Sequence, residues 1–360
     1  MALPTAALYS PTPSLEVDGQ DRPALAASIL ALSVAEDLQG MRRLELTLGN
    51  WGEVGRGLGF TLSDGEVVDL GRRLRCTIGG GERRGEVFDG AITGIEEQYP
   101  SAHPPRLVVL AEDRLQDLRM TRRTRTFSDV TDADVLRRIA ADHGLRAEVD
   151  VDGVRHPVLA QLAVSDLAFL RERARAVDAE LWISGDTLHL QTRTRRVAGE
   201  VELRYGADLA RFAVLADLAH QRTTVSVTGW DVAAKQPIEQ TAGASVIQGE
   251  LDGGTGGASI LERAFGARCE RIVDATPVGT EEARALAQAH FRARARRFLT
   301  GRGEAEGDAR LRVGGTVLLR GLSARCSGRY HLTETHHRYD TAVGYRTGFH
   351  VERAGIGAGR

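Results

Sequence analysis

The sequence has little cysteine, and its cysteines are poorly placed for cross-linking or for binding a metal. The three residues Cys76, Cys269 and Cys326 lie far apart, and no CxxC pair occurs. An odd and widely spaced set indicates neither a disulfide framework nor a structural zinc module. We therefore expect synthesis in the reducing cytoplasm.

The chain also lacks the apolar segments of secreted and membrane-spanning proteins. No apolar run approaches the ~20 residues that cross a bilayer. The opening MALPTAALYSPTPS has no basic region followed by an apolar core, as a signal peptide would have. We expect neither a signal peptide nor membrane insertion.

Lysine is almost missing, because Lys235 is the only lysine among 47 basic residues, yet the formal net charge is only −2. A near-neutral chain creates no general field for nucleic acid or an anionic membrane. The one basic cluster, RARARR at 292–297, lies in a predicted helix that spreads its arginines around the axis, without aromatic side chains for stacking. We expect it to complement the helix C-terminus or to form salt bridges between subunits, and we expect no specific nucleic-acid partner.

Common catalytic signatures are missing as well. The chain contains no GxSxG, HExxH or GxxxxGK[ST] sequence. The glycine-rich stretches 55–59, 79–81 and 253–257 lack the strand–loop–helix layout and the lysine of a phosphate-binding loop. These absences predict a protein that is not an enzyme and that has no cofactor.

The sequence does contain long stretches of alternating polar and apolar residues. Leu44, Leu46 and Leu48 alternate with polar neighbours, which is the pattern of a strand with one buried face. The predicted fold class is mainly β with an α+β insert: two tube-like β-barrel domains, related by internal duplication, with an inserted helix-and-strand domain. The predicted domains are 1–126 for the first β domain, 127–195 for the insert, 196–353 for the second β domain with one long helix at about 281–299, and 354–360 for a flexible tail.

Helix-capping residues mark the insert and the late helix. Ser128, Thr131 and Asp132 are candidate N-caps for one helix, and Gly144 is its predicted stop; Ser165 is the N-cap candidate for the next. For the late helix, Thr280 is the candidate N-cap and Gly301 follows its predicted end.

Two hairpins of the chain resemble each other at a constant offset. TGIEEQYPSAHPPRLVVLAED, from Thr93, aligns without gaps with TETHHRYDTAVGYRTGFHVER, from Thr333. The identical pairs are Thr93 with Thr333, Tyr99 with Tyr339, Arg106 with Arg346, and Glu112 with Glu352. Just upstream, DLGRRLRC and RVGGTVLL share a glycine before an apolar strand. This pattern predicts a duplicated β domain, and convergence of two hairpins in a β-rich chain is the alternative.

The order of strands, insert, strands and late helix resembles the late control protein D and baseplate hub family. The stretches SDLAFLRERARAVDAELWISGDTLHL (165–190) and GYRTGFHVER (344–353) carry most of this likeness. The family comprises the hubs of contractile-tailed phages and the N-terminal part of VgrG proteins in type VI secretion. The resemblance implies a homotrimeric ring with pseudo-six-fold symmetry, which adapts a hexameric tail tube to a trimeric spike.

The same resemblance implies the partners and the location. They are the tail tube protein, a spike protein and other baseplate components, in the baseplate of a phage tail or an injection particle. The 360 residues contain no spike domain and no lysozyme domain, so the expected spike is a separate polypeptide.

Residues 329–353 hold four of the ten histidines and offer one alternative function. Adjacent strand residues point to opposite faces, so His336 and His337 cannot share an ion. With a hairpin loop at DTAVG, Glu334 faces His350, and His336 lies on the same side. Two histidines and a glutamate could bind zinc, so the alternative is a metal-dependent, cell-wall-degrading hydrolase that uses Glu334, His336 and His350. A polar sheet face with cross-strand pairs is the main interpretation.

Overall fold

The computed structural model describes residues 11–196, 198–232 and 234–357. Its first part is a set of antiparallel strands around one apolar core. Its elements are β1 (Ser14–Val17), β2 (Gln20–Asp21), α1 (Pro23–Ala27), β3 (Ile29–Asp37), β4 (Arg43–Gly49), β5 (Gly52–Val54), β6 (Gly57–Gly59), β7 (Arg73–Ile78), β8 (Gly85–Gln98) and β9 (Arg106–Glu112).

Helices and short sheets follow, with an apolar core of their own. These elements are α2 (Leu115–Arg119), β10 (Arg122–Val130), α3 (Asp132–Asp142), β11 (Arg146–Asp150), β12 (His156–Ser165), α4 (Asp166–Ala176), β13 (Ala179–Ser184) and β14 (Thr187–Thr192). Thr131 caps α3 in a reciprocal capping box with Asp134, and Ser165 caps α4, so both N-cap predictions are confirmed. Gly144 follows α3 with a φ of 64°, as a helix-ending glycine does.

From residue 200 onward, most elements of the chain are β-strands. The elements of this part are β15 (Glu200–Arg204), β16 (Leu209–Ala216), β17 (Thr224–Asp231), β18 (Gln236–Gly243), β19 (Thr255–Gly256), α5 (Gly257–Phe265), β20 (Cys269–Ile272), α6 (Thr280–Arg296), β21 (Leu299–Glu306), β22 (Thr316–Arg320), β23 (Gly328–Asp340), β24 (Gly344–Arg353) and β25 (Gly355–Ile356). One apolar cluster fills the second β domain, and another lies between α6 and the small sheet β18-β17-β20. The predicted fold class, mainly β with two tube-like domains and an α+β insert, is confirmed.

The two β domains repeat each other down to their irregularities. In the hairpin β8–β9, Ile92 pairs with Ala111 and Gly94 with Leu110, so Thr93 is an extra, bulged residue. In β23–β24 the pairs are Leu332 with Val351 and Glu334 with His350, so Thr333 is bulged in the same way. Every residue pair of the first hairpin recurs in the second at the predicted offset. At one end, Ala91 with Glu112 corresponds to His331 with Glu352. At the other end, Gln98 with Arg106 corresponds to Arg338 with Arg346.

The likeness extends to neighbouring strands. The upstream glycines Gly71 and Gly314 have φ angles of 81° and 82°, which suit glycine, and each donates its N–H to the hairpin strand beside it, at Ile92 and Leu332 respectively. On the other side, β3–β4 and β16–β21 share a second bulge at matching positions. Because convergent hairpins would not share bulges at equivalent positions, these registers support duplication.

The two copies join in one sheet. Its main path contains β16-β21-β24-β23 from the second copy, followed by β3-β4-β9-β8 from the first. The junction is antiparallel pairing of the second half of β23 with β3, from Glu334 with Asp37 to Asp340 with Ala31. The copies differ in the direction of one strand. In the first copy β1 pairs antiparallel with β7, whereas in the second copy β15 pairs parallel with β22.

Three details of the sequence prediction were wrong. The long helix α6 has Gly279 as its N-cap and ends at Arg296, so Thr280 is its first residue and not its cap. Gly301 lies inside β21, where a Cβ atom would come 2.5 Å from the Phe212 ring; it makes room for an aromatic side chain and does not stop the helix. In the predicted tail, Ala354 is buried and β25 pairs with β19, while 358–360 lie outside the described residues.

Candidate functional site

The histidine-rich stretch forms β23 and β24, and its histidines separate by face. Glu334 pairs with His350 across the ladder, as the sequence predicted, and His336 lies two residues along on the same side. One Glu334 oxygen lies 2.5 Å from His336 Nε2, and the other lies 3.2 Å from His350 Nδ1. The structure therefore brings these three side chains together.

Their arrangement is that of a cross-strand charge cluster. All three side chains are between 30% and 53% exposed, and both oxygens of Glu334 are directed at imidazoles. In the part of the chain that the structure describes, no group of three or more His, Cys, Asp and Glu side chains is placed to hold a metal ion.

The other two histidines of the stretch point into the protein. His337 is buried, and its Nδ1 lies 2.8 Å from the Tyr345 hydroxyl. Burial lowers the pKa of His337 to about 3, so its imidazole is neutral at physiological pH. His331 contacts Glu180 of the insert at 2.8 Å, and burial lowers the pKa of His331 as well.

Ion pairs fasten the insert to the second β domain. The carboxylate of Glu180 on β13 accepts one hydrogen bond from Arg196, at 2.8 Å, and contacts His331. Burial alone would raise the pKa of Glu180, but the His331 hydrogen bond and the nearby arginine charges hold it well below its usual range. The Arg196 guanidinium also lies 4.0 Å from the centre of the Trp182 ring.

A second ionic joint explains part of the basic run 292–297. Arg296 is 6% exposed and donates two hydrogen bonds to Asp178, at 2.5 and 2.9 Å, and two to Glu250, both at 2.7 Å. Arg294 pairs with Glu270. These two arginines are thus bound within their own chain, whereas the sequence pattern predicted complementation of the helix C-terminus or salt bridges between subunits.

The first β domain meets the insert at Arg42. Its guanidinium donates to the carbonyl of Ile183 at 2.9 Å, and its backbone N–H donates to Asp113 at 2.8 Å. Burial raises the pKa of Asp113 to about 7. No sequence motif marks these residues; their pairing depends on contacts between segments far apart in the chain.

The sheet that joins the two copies has one face on the apolar cores and one polar, accessible face. This polar face runs across all eight strands of the path. Its side chains include Glu45, Thr47, Glu96, Gln98, Arg211, Arg302, Glu304, Glu334, His336, Arg338 and His350. One core-facing and one solvated face is the common arrangement of an antiparallel sheet.

Comparison with known structures places this fold among tail and secretion proteins. A 43 kDa tail protein of prophage MuSo2 from Shewanella oneidensis matches with a TM-score of 0.67 and 14% identity, over 96% of this chain and 99% of that one. A tail protein from Neisseria meningitidis matches at 0.66 and 12%, over 97% and 98%. An E. coli protein, described as a component of the type VI secretion system, matches at 0.56 and 14%, over 94% and 76%. The fold expected from the hub resemblance is confirmed.

A protein-family model matches nearly the whole sequence and shows the family of the chain. The model described as the Alg8 N-terminal domain matches residues 11–341, and the chain belongs to that family. The comparison with curated proteins found no match. No helix in the described ranges is long and apolar enough to cross a membrane.

Proposed function

We propose that this protein is a structural hub of a phage tail or a related contractile injection system, without catalytic activity. Three chains would form a ring that presents six similar β units to a hexameric tail tube and three-fold symmetry to a trimeric spike. The observation that carries the proposal is the shared pairing register of β8–β9 and β23–β24, including the bulges at Thr93 and Thr333. Two equivalent units in one chain are what a trimer needs to match six-fold symmetry.

The division of the chain fits this role. We propose a first tube-like domain at 1–126, an insert at 127–195 and a second tube-like domain at 196–353. The separate apolar clusters support it, although Met41, Leu115 and Leu118 join the core of the insert. The insert would lie outside the ring and contact other baseplate components, held rigidly by the ionic joints at Glu180 and Arg296.

The polar sheet face would line the lumen of the ring. Both acidic and basic side chains occur on it, for example Glu304 beside Arg211 at 2.8 Å. Such paired charges leave the wall hydrated without a strong field of one sign. Cargo could then pass without specific binding to the wall.

Light scattering of the purified full chain tests the proposal. The expected result is a particle of three times the 38.9 kDa chain mass that appears as a ring in negative-stain electron micrographs. A chain that stays monomeric at high concentration, both alone and with its tube and spike proteins, would contradict the proposal.

A further inference from the structure

The eight-strand path has a stretch of open strand edge at each end, in β16 and in the half of β8 beyond its pairing with β7. At one end, Asp217 donates its backbone N–H to Phe298 on the β21 side at 3.0 Å. Backbone groups alternate sides along a strand, so Phe212, Val214 and Ala216 direct theirs away from β21. In the described part of the chain, no strand pairs with this stretch of β16 on that side.

The other open edge is the second half of β8. Ile92 exchanges backbone hydrogen bonds with Gly71 and Arg72 on the β7 side, at 2.8 and 2.9 Å. The bulge at Thr93 shifts the alternation by one residue, so Ile95 and Glu97 direct their backbone groups outward beyond the end of β7. Among the described residues, no strand pairs with this stretch either.

The junction inside the chain shows how two such edges pair. The second half of β23, which is equivalent to the second half of β8, pairs with β3, which is equivalent to β16. There, Thr335 pairs with Glu36, His337 with Val34, and Tyr339 with Leu32. The counterparts of these β23 residues lie in β8, and the counterparts of these β3 residues lie in β16. The resulting pairs are Ile95 with Ala216, Glu97 with Val214, and Tyr99 with Phe212.

The apolar side chains at the open edges are those that such pairing would cover. Leu32 and Val34 are 3% and 1% exposed at the closed junction, whereas their counterparts Phe212 and Val214 are only half-buried. Tyr99 is 63% exposed, whereas its counterpart Tyr339 packs against the core of the first copy. Partly exposed apolar residues along strand edges that have no partner strand invite pairing with a strand from another chain.

We propose that β8 of one chain pairs antiparallel with β16 of a second copy, in the register Ile95 with Ala216, Glu97 with Val214, and Tyr99 with Phe212. This inference rests on the proposed function and names the contact by which its ring closes. The contact is head-to-tail, so each chain uses both edges, and three chains would form a continuous wall. The sheet inside the chain and the sheet between chains would then be equivalent.

Disulfide cross-linking tests this register. In it, Gln98 faces Ala213 as a pair without hydrogen bonds, with Cα atoms ~4.5 Å apart, which is within the range of a disulfide. The variant Gln98→Cys with Ala213→Cys is made in a background of Cys269→Ser and Cys326→Ser, because Cys269 is exposed and Cys326 partly so. The matched control moves one cysteine by two residues, as Gln98→Cys with Leu215→Cys, which separates the pair to ~7–8 Å.

Mild oxidation should convert most of the first variant into covalent dimers and closed trimers, and at least tenfold less of the control. A mixture of the two single variants should give dimers, and neither alone should. If light scattering shows a trimer but the first variant does not cross-link, or the control cross-links equally well, the register is wrong and the hub proposal stands. A chain that remains monomeric and does not cross-link would overturn both.

Discussion

Arg296 and Asp178 form a two-point ion pair that joins the end of α6 to the turn after α4. Two guanidinium nitrogens donate to the two carboxylate oxygens at 2.5 and 2.9 Å, and the same guanidinium also binds Glu250. Because all three groups are largely buried, each one depends on the others for compensation of its charge.

Replacing Arg296 should therefore destabilise the protein strongly. Arg296→Ala leaves Asp178 and Glu250 without their main cationic partner, and we expect a loss of ~3–5 kcal/mol in the free energy of unfolding. The neighbouring Arg297 is exposed, so Arg297→Ala should change stability by less than ~0.5 kcal/mol. Urea unfolding followed by circular dichroism measures both, and equal effects would contradict the structural role of Arg296.

Gly40 should tolerate no side chain, because it approaches the insert closely. Its φ is 86°, and a Cβ atom there would lie 1.9 Å from the carbonyl oxygen of Leu181. We expect Gly40→Ala to cost roughly 2–5 kcal/mol, from the unfavourable backbone conformation and the overpacking together.

Gly57 provides the matched control for that substitution. A Cβ atom there would have no heavy atom within 4 Å, and Gly57 has no positive φ. Gly57→Ala should therefore leave the thermal midpoint nearly unchanged. A normal midpoint for Gly40→Ala would show that the insert does not pack against the first β domain as the structure has it.

His156 should make stability fall at alkaline pH. Its Nε2 lies 3.4 Å from Asp132, and its Nδ1 lies 3.4 Å from Glu282 of α6. Hydrogen bonds to Asp132 and then Glu282 raise the pKa of His156 to about 9, against the opposing effects of burial and Arg173. Because the folded pKa exceeds the ordinary value of 6.5, the contribution of His156 is fully present below pH ~6.5 and is lost as the pH rises through 9.

The measurement is urea stability across that pH range for the parent, His156→Gln and His220→Gln. His220 is exposed, so His220→Gln should behave like the parent. In both proteins the free energy of unfolding should fall with rising pH by at most ~1.4 kcal/mol per pH unit. His156→Gln should flatten this dependence. A parallel dependence in all three proteins would show that His156 is not held charged.

The sequence predicted most where local chemistry decides the structure. Thr131 and Ser165 were identifiable as N-caps because capping depends on neighbours within a few residues. The duplicated hairpins were identifiable because four identities recur at one offset, and the shared bulge at Thr93 and Thr333 shows why the alignment has no gap.

The sequence led to a wrong prediction, or to none, for residues whose role depends on contacts between segments far apart in the chain. A glycine shortly after a predicted helix is typical of a helix stop. In the structure, however, Gly301 is needed because the Phe212 ring from another strand occupies the space of a side chain. Arg296 is one of several arginines in a run, and only the fold shows that it is the buried one. The pairing of β23 with β3 joins residues about 300 apart, beyond the reach of any periodicity.

The last prediction concerns zinc at Glu334, His336 and His350. Because both carboxylate oxygens already bind imidazoles and the cluster is half-exposed, we expect purified protein to contain far less than one zinc ion per chain. We also expect Glu334→Ala to cost no more than ~1 kcal/mol, as for other exposed ion pairs. Elemental analysis after dialysis against micromolar zinc measures the first expectation, with Glu202→Ala as a control at another exposed carboxylate. One zinc per chain that is lost in Glu334→Ala and kept in Glu202→Ala would favour the metal-dependent hydrolase, since only a specific site depends on that one carboxylate.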